Sequence, residues 1–136
     1  NTFSFTCNKA FSQVITECRN AYRKDQDGTW INDDVIEAYT SLHNNGLAIS
    51  AEAWQDGELV GGLYGIRMGK LFFGESMFAK KSNASKFAFI SLVNQLVEEG
   101  VVLIDCQVYT PHLESLGAEM ITRELFLQYL KKYLDV

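Results

Sequence analysis

Two acidic side chains lie inside apolar segments, where carboxylates are rare. Glu75 lies in Leu71-Phe-Phe-Gly-Glu-Ser-Met-Phe78, and Asp105 lies in Val101-Val-Leu-Ile-Asp-Cys-Gln-Val108. A buried carboxylate costs several kcal/mol unless it is paired or protonated. Gln107 follows Asp105 by two residues and therefore points to the same face of a strand. These three side chains are candidates for binding and proton transfer. A structural polar cluster satisfied by backbone donors is the alternative, and the strand pattern does not separate the two.

Aromatic and basic side chains form a second group of candidates. Trp30 stands in a polar loop just before a helix, where it suits either a ligand platform or the core. Tyr39 lies on the apolar stripe of that helix, which favours the core. Lys80, Lys81 and Lys86 surround the start of a later helix. Lysines around a helix N-terminus are typical of an anion site, although a solvated face explains them as well.

Apolar spacing predicts the secondary structure around these candidates. Residues 3–7 alternate as in a short strand, and the spacing from Phe11 to Tyr22 is that of a helix. Asn32 is a good N-cap for a second helix, which Gly46 would end. The period then changes to two, which predicts a meander of three strands: Leu47–Gln55, Glu58–Met68 and Lys70–Phe78.

A crossover connects the two segments that carry the acids. Asn83 can cap a third helix and Gly100 can end it, and Val101–Val108 is typical of a buried strand at a sheet centre. A short segment follows at His112–Leu116. After it come another short strand and a last helix at Arg123–Leu134. A strand–helix–strand crossover makes its flanking strands parallel. The strands of Glu75 and Asp105 therefore end at the same edge, where α/β sheets bind ligands.

The order of elements predicts the fold class. Strand, two helices, three-strand meander, helix, strand and helix indicate an α/β (α+β) fold. We expect a mixed, mostly antiparallel sheet with helices on both faces and two parallel central strands. This order is similar to the GNAT acyltransferase fold, in which two neighbouring parallel strands splay apart and the gap holds the reacting groups.

Composition limits the classes of protein that remain. The chain has 136 residues, of which 47% are hydrophobic and 21% charged, with a net charge of −5. This is the composition of one globular domain, and it excludes non-specific coating of nucleic acid, although a local basic patch stays possible. The 3 cysteines contain no C-x-x-C pair and the 2 histidines lack metal spacing, so no metal site is predicted. No apolar run approaches the roughly 18 residues of a membrane span.

Several short motifs follow one another along nearly the whole chain. They are Gly28-Thr-Trp-Ile31, Glu37-Ala-Tyr39, Leu59-Val-Gly-Gly-Leu-Tyr-Gly65, Gly74-Glu-Ser-Met-Phe78, Asn83-Ala-Ser-Lys86, Leu103-Ile-Asp-Cys-Gln107 and Ser115-Leu-Gly-Ala118. Together they strongly resemble the leucyl/phenylalanyl-tRNA–protein transferase family, from about Phe3 to about Leu130. Several blocks in a fixed order are far more specific than one motif alone.

The resemblance implies an activity. Members of this family are cytoplasmic bacterial enzymes that move Leu or Phe from aminoacyl-tRNA to the N-terminal Arg or Lys of an acceptor protein. The added residue marks that protein for degradation in the N-degron pathway. The resemblance further implies a GNAT-like catalytic domain that uses no acetyl-CoA, no metal and no other cofactor. Family members carry an additional N-terminal domain, so we expect residues 1–136 to be the single catalytic domain without it.

The resemblance also implies roles for individual residues. Within the matched motifs, the catalytic and acceptor-binding positions fall on Glu75, Asp105 and Gln107. Contacts to the aminoacyl-adenosine end of the donor fall on Trp30 and Tyr39. Outside the motifs, the resemblance implies an apolar pocket for the Leu or Phe side chain, lined by Leu63, Phe72, Phe89, Leu92 and Ile104.

Two other functions stay open on the sequence. A CoA-dependent GNAT acyltransferase needs a glycine-rich pyrophosphate loop before the third helix, and Ala79-Lys-Lys-Ser-Asn-Ala84 contains no glycine. A non-catalytic binding module, or an inactive fragment of the transferase, is compatible with the same motifs.

Overall fold

The computed structural model of the chain describes residues 2–25 and 31–106, together with three helical positions at 125, 128 and 132. Its elements are β1 (Ser4–Cys7), α1 (Phe11–Asp25), α2 (Asp33–Asn44), β2 (Ala48–Gln55), β3 (Glu58–Met68), β4 (Leu71–Ala79), α3 (Ala84–Glu98) and β5 (Leu103–Cys106). Their types and order confirm the prediction up to Cys106. The segments predicted after it lie outside the described residues, apart from those three positions. Within the described ranges, no helix is long and apolar enough to cross a lipid bilayer.

The strands form one sheet in the order β1-β2-β3-β4-β5. The first four strands pair antiparallel, whereas β4 and β5 pair parallel. The parallel ladder runs from Leu71 opposite Leu103 to Gly74 opposite Cys106. The crossover through α3 therefore gives the parallel pair that was predicted, and β5 is the last strand of the sheet among the described residues.

Helices cover both faces of this sheet, and each face has its own core. On one face α3 packs on the strands through Phe89, Leu92 and Leu96. On the other face α1 packs through Phe11, Val14 and Ile15, with α2 beside it, against strand residues that include Tyr64 and Phe78. The two faces are called the α3 face and the α1/α2 face below. Alternation along a strand sends neighbouring side chains to different cores.

Local signals at the element ends match the structure with one exception. The Asn32 side chain accepts a hydrogen bond from the Val35 N–H at 3.0 Å, as a helix N-cap should. Asp56 and Gly57 both have positive φ, 54° and 79°, as the predicted two-residue hairpin requires. Asn83 does precede α3, but its φ is 69° and its side chain makes no capping bond. The predicted cap is wrong because side-chain capping needs an extended backbone at that position.

The Gly61-Gly62 pair marks a close approach of backbones, as predicted. A Cβ on Gly61 would lie 2.6 Å from the Cβ of Ala84, and one on Gly62 would lie 2.7 Å from the Ala51 carbonyl oxygen. Any side chain at Gly61 would push the start of α3 away from β3. The glycine therefore lets α3 begin directly against the sheet, which fixes the connection between β4 and β5.

Candidate active site

Glu75 occupies a β-bulge in the middle of β4. The β3–β4 ladder pairs Tyr64 with Ser76 and Gly65 with Gly74, so Glu75 is the extra residue of β4. A bulge bends its strand and re-aims a side chain. Here it brings two consecutive side chains to the α1/α2 face, because Ser76 contacts Cys18 of α1 and Glu75 contacts Tyr39 of α2. Strict alternation would have sent one of them towards α3.

Gly65 makes room for this bulge. A Cβ on Gly65 would lie 2.6 Å from Cζ of Phe72, a fully packed ring on the α3 face. A side chain at Gly65 would therefore displace Phe72 and the β4 backbone beside it. The glycine-containing motif Leu59–Gly65 thus shapes the strand that carries Glu75.

Tyr39 reaches Glu75 from helix α2. Its hydroxyl donates a hydrogen bond to Oε1 of Glu75 at 2.5 Å. Its ring packs edge-on against Tyr64 of β3, with centroids 5.3 Å apart and an interplanar angle of 74°. Burial, and then the hydrogen bond and negative charge of Glu75, raise the pKa of Tyr39. The phenol therefore stays protonated at neutral pH and acts as a donor.

Asp105 lies on β5 beside this group. Its register partner on β4 is Phe73, two residues before Glu75, so the two acids belong to adjacent strands at the end of the parallel ladder. The side chain of Asp105 is exposed. Partial burial, and then the negative charge of Glu75, raise the pKa of Asp105. Two acids in this arrangement attract a cation, and Asp105 accepts a proton more readily than an isolated aspartate does.

The apolar residues assigned to a donor pocket come together on the α3 face. Ile104 pairs with Phe72 across the β4–β5 ladder, so its side chain points away from the face of Asp105. Four of the five are buried in one cluster and the fifth packs against it: Leu63, Phe72, Phe89, Leu92 and Ile104. Trp30 and Gln107, the other two predicted site residues, lie outside the described residues.

The sequence analysis missed a third acid inside a strand. Glu52 of β2 is 0% exposed, and it accepts hydrogen bonds from Thr6 Oγ1 at 2.6 Å, Ser50 Oγ at 2.5 Å and the Lys9 N–H at 3.1 Å. Trp54 Nε1 in turn donates to Thr6 Oγ1 at 2.7 Å. Its position within the predicted strand Leu47–Gln55 was the available signal. A structural polar cluster satisfied by local donors thus exists at Glu52.

One of the three lysines proposed for an anion site is already paired. Lys80 follows β4 and forms an ion pair with Glu17 of α1. The hydrogen bond to Glu17 is the main cause that raises the pKa of Lys80, and the charge of Glu58 adds to it. At the start of α3, the Ala84 N–H donates to the Lys81 carbonyl oxygen at 3.1 Å. The start of α3 therefore offers an anionic ligand fewer unpaired positive charges and N–H donors than the sequence indicates.

In the described part of the chain, a mixed sheet of five strands with helices on both faces and a parallel β4–β5 pair defines a GNAT-like fold. A protein from Clostridium acetobutylicum described as a predicted acetyltransferase, solved with acetyl-CoA, matches with a TM-score of 0.66 and 12% identity, over 90% of this chain and 93% of that one. A Trypanosoma brucei acetyltransferase matches with a TM-score of 0.63 and 9% identity, over 90% and 96%. At these identities the likeness shows the fold alone.

The chain belongs to the leucyl/phenylalanyl-tRNA protein transferase family, whose family model matches residues 1–131. The leucyl/phenylalanyl-tRNA–protein transferase of Christiangramia forsetii is 57% identical over 130 residues, which cover 94% of this chain and 61% of that protein. The transferase of the same name from Pseudomonas fluorescens is 53% identical over 133 residues, which cover 98% and 58%. This chain therefore spans about 60% of the length of these relatives.

Proposed function

We propose that the chain is the single catalytic domain of an aminoacyltransferase. It moves Leu or Phe from aminoacyl-tRNA to the N-terminal Arg or Lys of an acceptor protein, which is thereby marked for degradation. The observation that carries the proposal is the proximity of Glu75 and Asp105 where the parallel ladder of β4 and β5 ends. The relatives are named for two amino acids, a tRNA and a protein, and this name supports aminoacyl-tRNA as the donor and a protein as the acceptor. Because the donor is aminoacyl-tRNA, the reaction belongs to the cytoplasm.

The reaction joins an amine to an activated ester. The α-amine nitrogen attacks the carbonyl carbon of the aminoacyl ester, a C–N bond forms, and the C–O bond to the ribose breaks. The attacking amine loses a proton and the departing ribose oxygen gains one. An α-amino group has a pKa of about 8, so most of it is protonated at neutral pH. An acid pair attracts this ammonium group and orients it towards the ester.

Asp105 is suited to accept the proton. Its raised pKa makes its carboxylate a better base than an unperturbed aspartate. Gln107 would hold the amine after the proton is lost. Glu75 either pairs with the cationic side chain of the acceptor residue or takes part in the same proton relay. No covalent enzyme intermediate is required, because the ester is already reactive and positioning supplies most of the rate.

Each face of the parallel β4–β5 pair binds a different substrate. The acids on the α1/α2 face take the acceptor amine, and the cluster of Phe72, Phe89, Leu92, Ile104 and Leu63 on the α3 face takes the donor side chain. Leu and Phe share bulk and lack polar groups, so an apolar site selects both. The family resemblance assigns the aminoacyl-adenosine contacts to Trp30 and Tyr39, and of these Tyr39 lies on the α1/α2 face with the acids.

A transfer assay with the complete protein, as its gene encodes it, tests this function. Labelled Leu-tRNA and Phe-tRNA are incubated with peptides that begin with Arg, Lys or Ala. We expect label on the Arg and Lys peptides, little on the Ala peptide, and none when Asp105→Ala replaces the wild type. No transfer by the complete wild-type protein would contradict the proposal. Activity of the complete protein without activity of residues 1–136 alone would support the interpretation of this chain as an inactive fragment.

A further inference from the structure

We propose that Tyr39 is a positioning residue, whose hydroxyl fixes the carboxylate of Glu75 at the reacting centre. The family resemblance instead implies that Tyr39 contacts the aminoacyl-adenosine of the donor. The inference rests on the proposed function, because it concerns how Glu75 is presented to the acceptor. The two roles predict different kinetics.

The hydrogen bond itself is the first argument. A phenol carries one proton, and Tyr39 donates it to Oε1 of Glu75 at 2.5 Å. A bond from a neutral donor to a carboxylate is charge-assisted and therefore stronger than a bond between neutral groups. While the proton is committed to Glu75, Tyr39 has none to donate to a group on the aminoacyl-tRNA.

The rigidity of Tyr39 is the second argument. Its ring packs edge-on against Tyr64, which is 0% exposed and itself packs edge-on against Phe11 of α1 at 5.9 Å. Helix α2 is tied at its start by the Asn32 cap and by an ion pair at 2.8 Å between Arg19 and Asp33. The hydroxyl is therefore presented from a ring that packs on the buried Tyr64.

The bulge at Glu75 is the third argument. Glu75 lacks a register partner on β3, and its side chain has three rotatable bonds on a half-buried face. Tyr64 pairs with Ser76, the next residue, so the ring that supports Tyr39 stands beside the bulge. Tyr39 thus links α2 to Glu75 on β4. The direction of the Glu75 side chain sets how close its carboxylate lies to Asp105 on β5. Loss of this hydrogen bond would remove one constraint on the direction of the Glu75 carboxylate.

Steady-state kinetics of Tyr39→Phe in the complete protein test the role. We expect kcat to fall roughly ten- to a hundredfold, the effect of one hydrogen bond to a charged group. The KM values for aminoacyl-tRNA and for the acceptor peptide should stay within about twofold of wild type. A raised KM for aminoacyl-tRNA with unchanged kcat would identify Tyr39 as a donor contact and overturn the proposal, as would unchanged kinetics.

A double-mutant cycle tests the partner. In the Glu75→Ala background, Tyr39→Phe should cause no further loss of single-turnover rate, because the acceptor of its hydrogen bond is gone. Additive losses would overturn the proposal. Thr6→Val is the matched control: it removes a hydroxyl that donates to a different glutamate, Glu52, at 2.6 Å. That variant should lower the urea midpoint of unfolding and leave kcat unchanged.

Urea unfolding of the four proteins of the cycle separates this inference from the proposed function. They are the wild type, Tyr39→Phe, Glu75→Ala and the double variant. If Tyr39 and Glu75 interact, the changes in unfolding free energy of the two single variants are non-additive, whatever reaction the protein catalyses. Additive changes would overturn the pairing even where transfer activity is normal. Absence of transfer by the wild type, together with non-additive unfolding, would overturn the proposed function and with it the positioning role of Tyr39 in transfer.

Discussion

The charge of Glu75 raises the pKa of Asp105 across the parallel pair of β4 and β5. Asp105 lies opposite Phe73 in the ladder, and the bulge turns Glu75, two residues later, to the α1/α2 face. Glu75 is held by the Tyr39 hydroxyl, whereas Asp105 is exposed. We propose that the two acids therefore have different tasks: the Tyr39 hydroxyl orients the Glu75 side chain, and Asp105 exchanges a proton with the acceptor.

Glu75→Gln should lower the pKa of Asp105. The substitution removes a neighbouring negative charge, so the charged form of Asp105 becomes easier to form. The pKa should stay above the ordinary value of 3.8, because partial burial is the larger cause of the shift and it remains. Titration of the Asp105 carboxyl carbon by NMR measures the change. Glu98→Gln, at an exposed carboxylate on α3, is the control and should leave Asp105 unaffected. An unmoved Asp105 titration in Glu75→Gln would refute the coupling.

Asp105→Ala should abolish transfer and leave the fold intact. Because the side chain is exposed, its loss should change the unfolding free energy by no more than about 0.5 kcal/mol. Transfer assays on the complete protein and thermal unfolding of the same sample give the two readouts. Wild-type transfer rates in this variant would remove Asp105 from the mechanism. A variant that unfolds would favour the structural alternative for this acid.

Glu52→Ala should destabilise the domain by on the order of 3 kcal/mol or more. The substitution leaves the buried hydroxyl of Ser50 and the part-buried hydroxyl of Thr6 and N–H of Lys9 without their acceptor, and a buried group without a partner costs about 1–3 kcal/mol. The loss of the packed Glu52 side chain itself adds to this cost. Urea unfolding measures the loss, with Glu98→Ala as an exposed control that should change little. A tolerated Glu52→Ala would show that water replaces the carboxylate in this network.

The sequence predicts much of this fold because local signals and apolar periods agree. The Asp56-Gly57 hairpin, the Asn32 cap and the change of period after Gly46 each have a local cause, and the structure confirms them. The parallel pairing of β4 and β5 follows from the crossover rule and needs no side-chain detail.

The arrangement of the site is harder to predict because it depends on contacts between distant residues. Strict alternation places Glu75 and Ser76 on different faces, whereas the bulge beside Gly65 brings both to the α1/α2 face. The contact of Tyr39 with Glu75 joins residues 36 positions apart, so no local pattern indicates it. The position of Glu52 inside a predicted strand was visible in the sequence, but its donors come from β1 and the turn after it as well as from its own strand, so its network was not.

The domain should not bind acetyl-CoA, although its fold is that of acetyltransferases. A pyrophosphate needs free backbone N–H groups at the start of α3. The connection Ala79–Ala84 has no glycine, the Ala84 N–H is directed to the Lys81 carbonyl oxygen, and Lys80 is paired with Glu17. Isothermal calorimetry of the complete protein with acetyl-CoA should show no binding, while a CoA-dependent acetyltransferase serves as the positive control. Micromolar affinity would revive the CoA-dependent function.

Ile104→Phe should change the preference between the two donors. Ile104 pairs with Phe72 and faces the cluster closed by Phe89 and Leu92 on α3. If this cluster opens to receive the donor side chain, a larger residue at 104 leaves less room, so transfer of Phe should fall more than transfer of Leu. The ratio of kcat/KM for Phe-tRNA and Leu-tRNA measures this effect, and the loss of stability should be modest.

Leu96→Phe is the matched control for that experiment. Leu96 is buried in the same cluster but is not among the residues assigned to the donor. Overpacking there should cost about 1–3 kcal/mol of unfolding free energy without altering the Phe-to-Leu ratio. If Ile104→Phe behaves in the same way, with equal activity losses for both donors that follow a lowered melting temperature, the five residues are core and the donor side chain binds elsewhere. A ratio that changes only in Ile104→Phe would place the Leu or Phe side chain on the α3 face, behind the acids that take the amine.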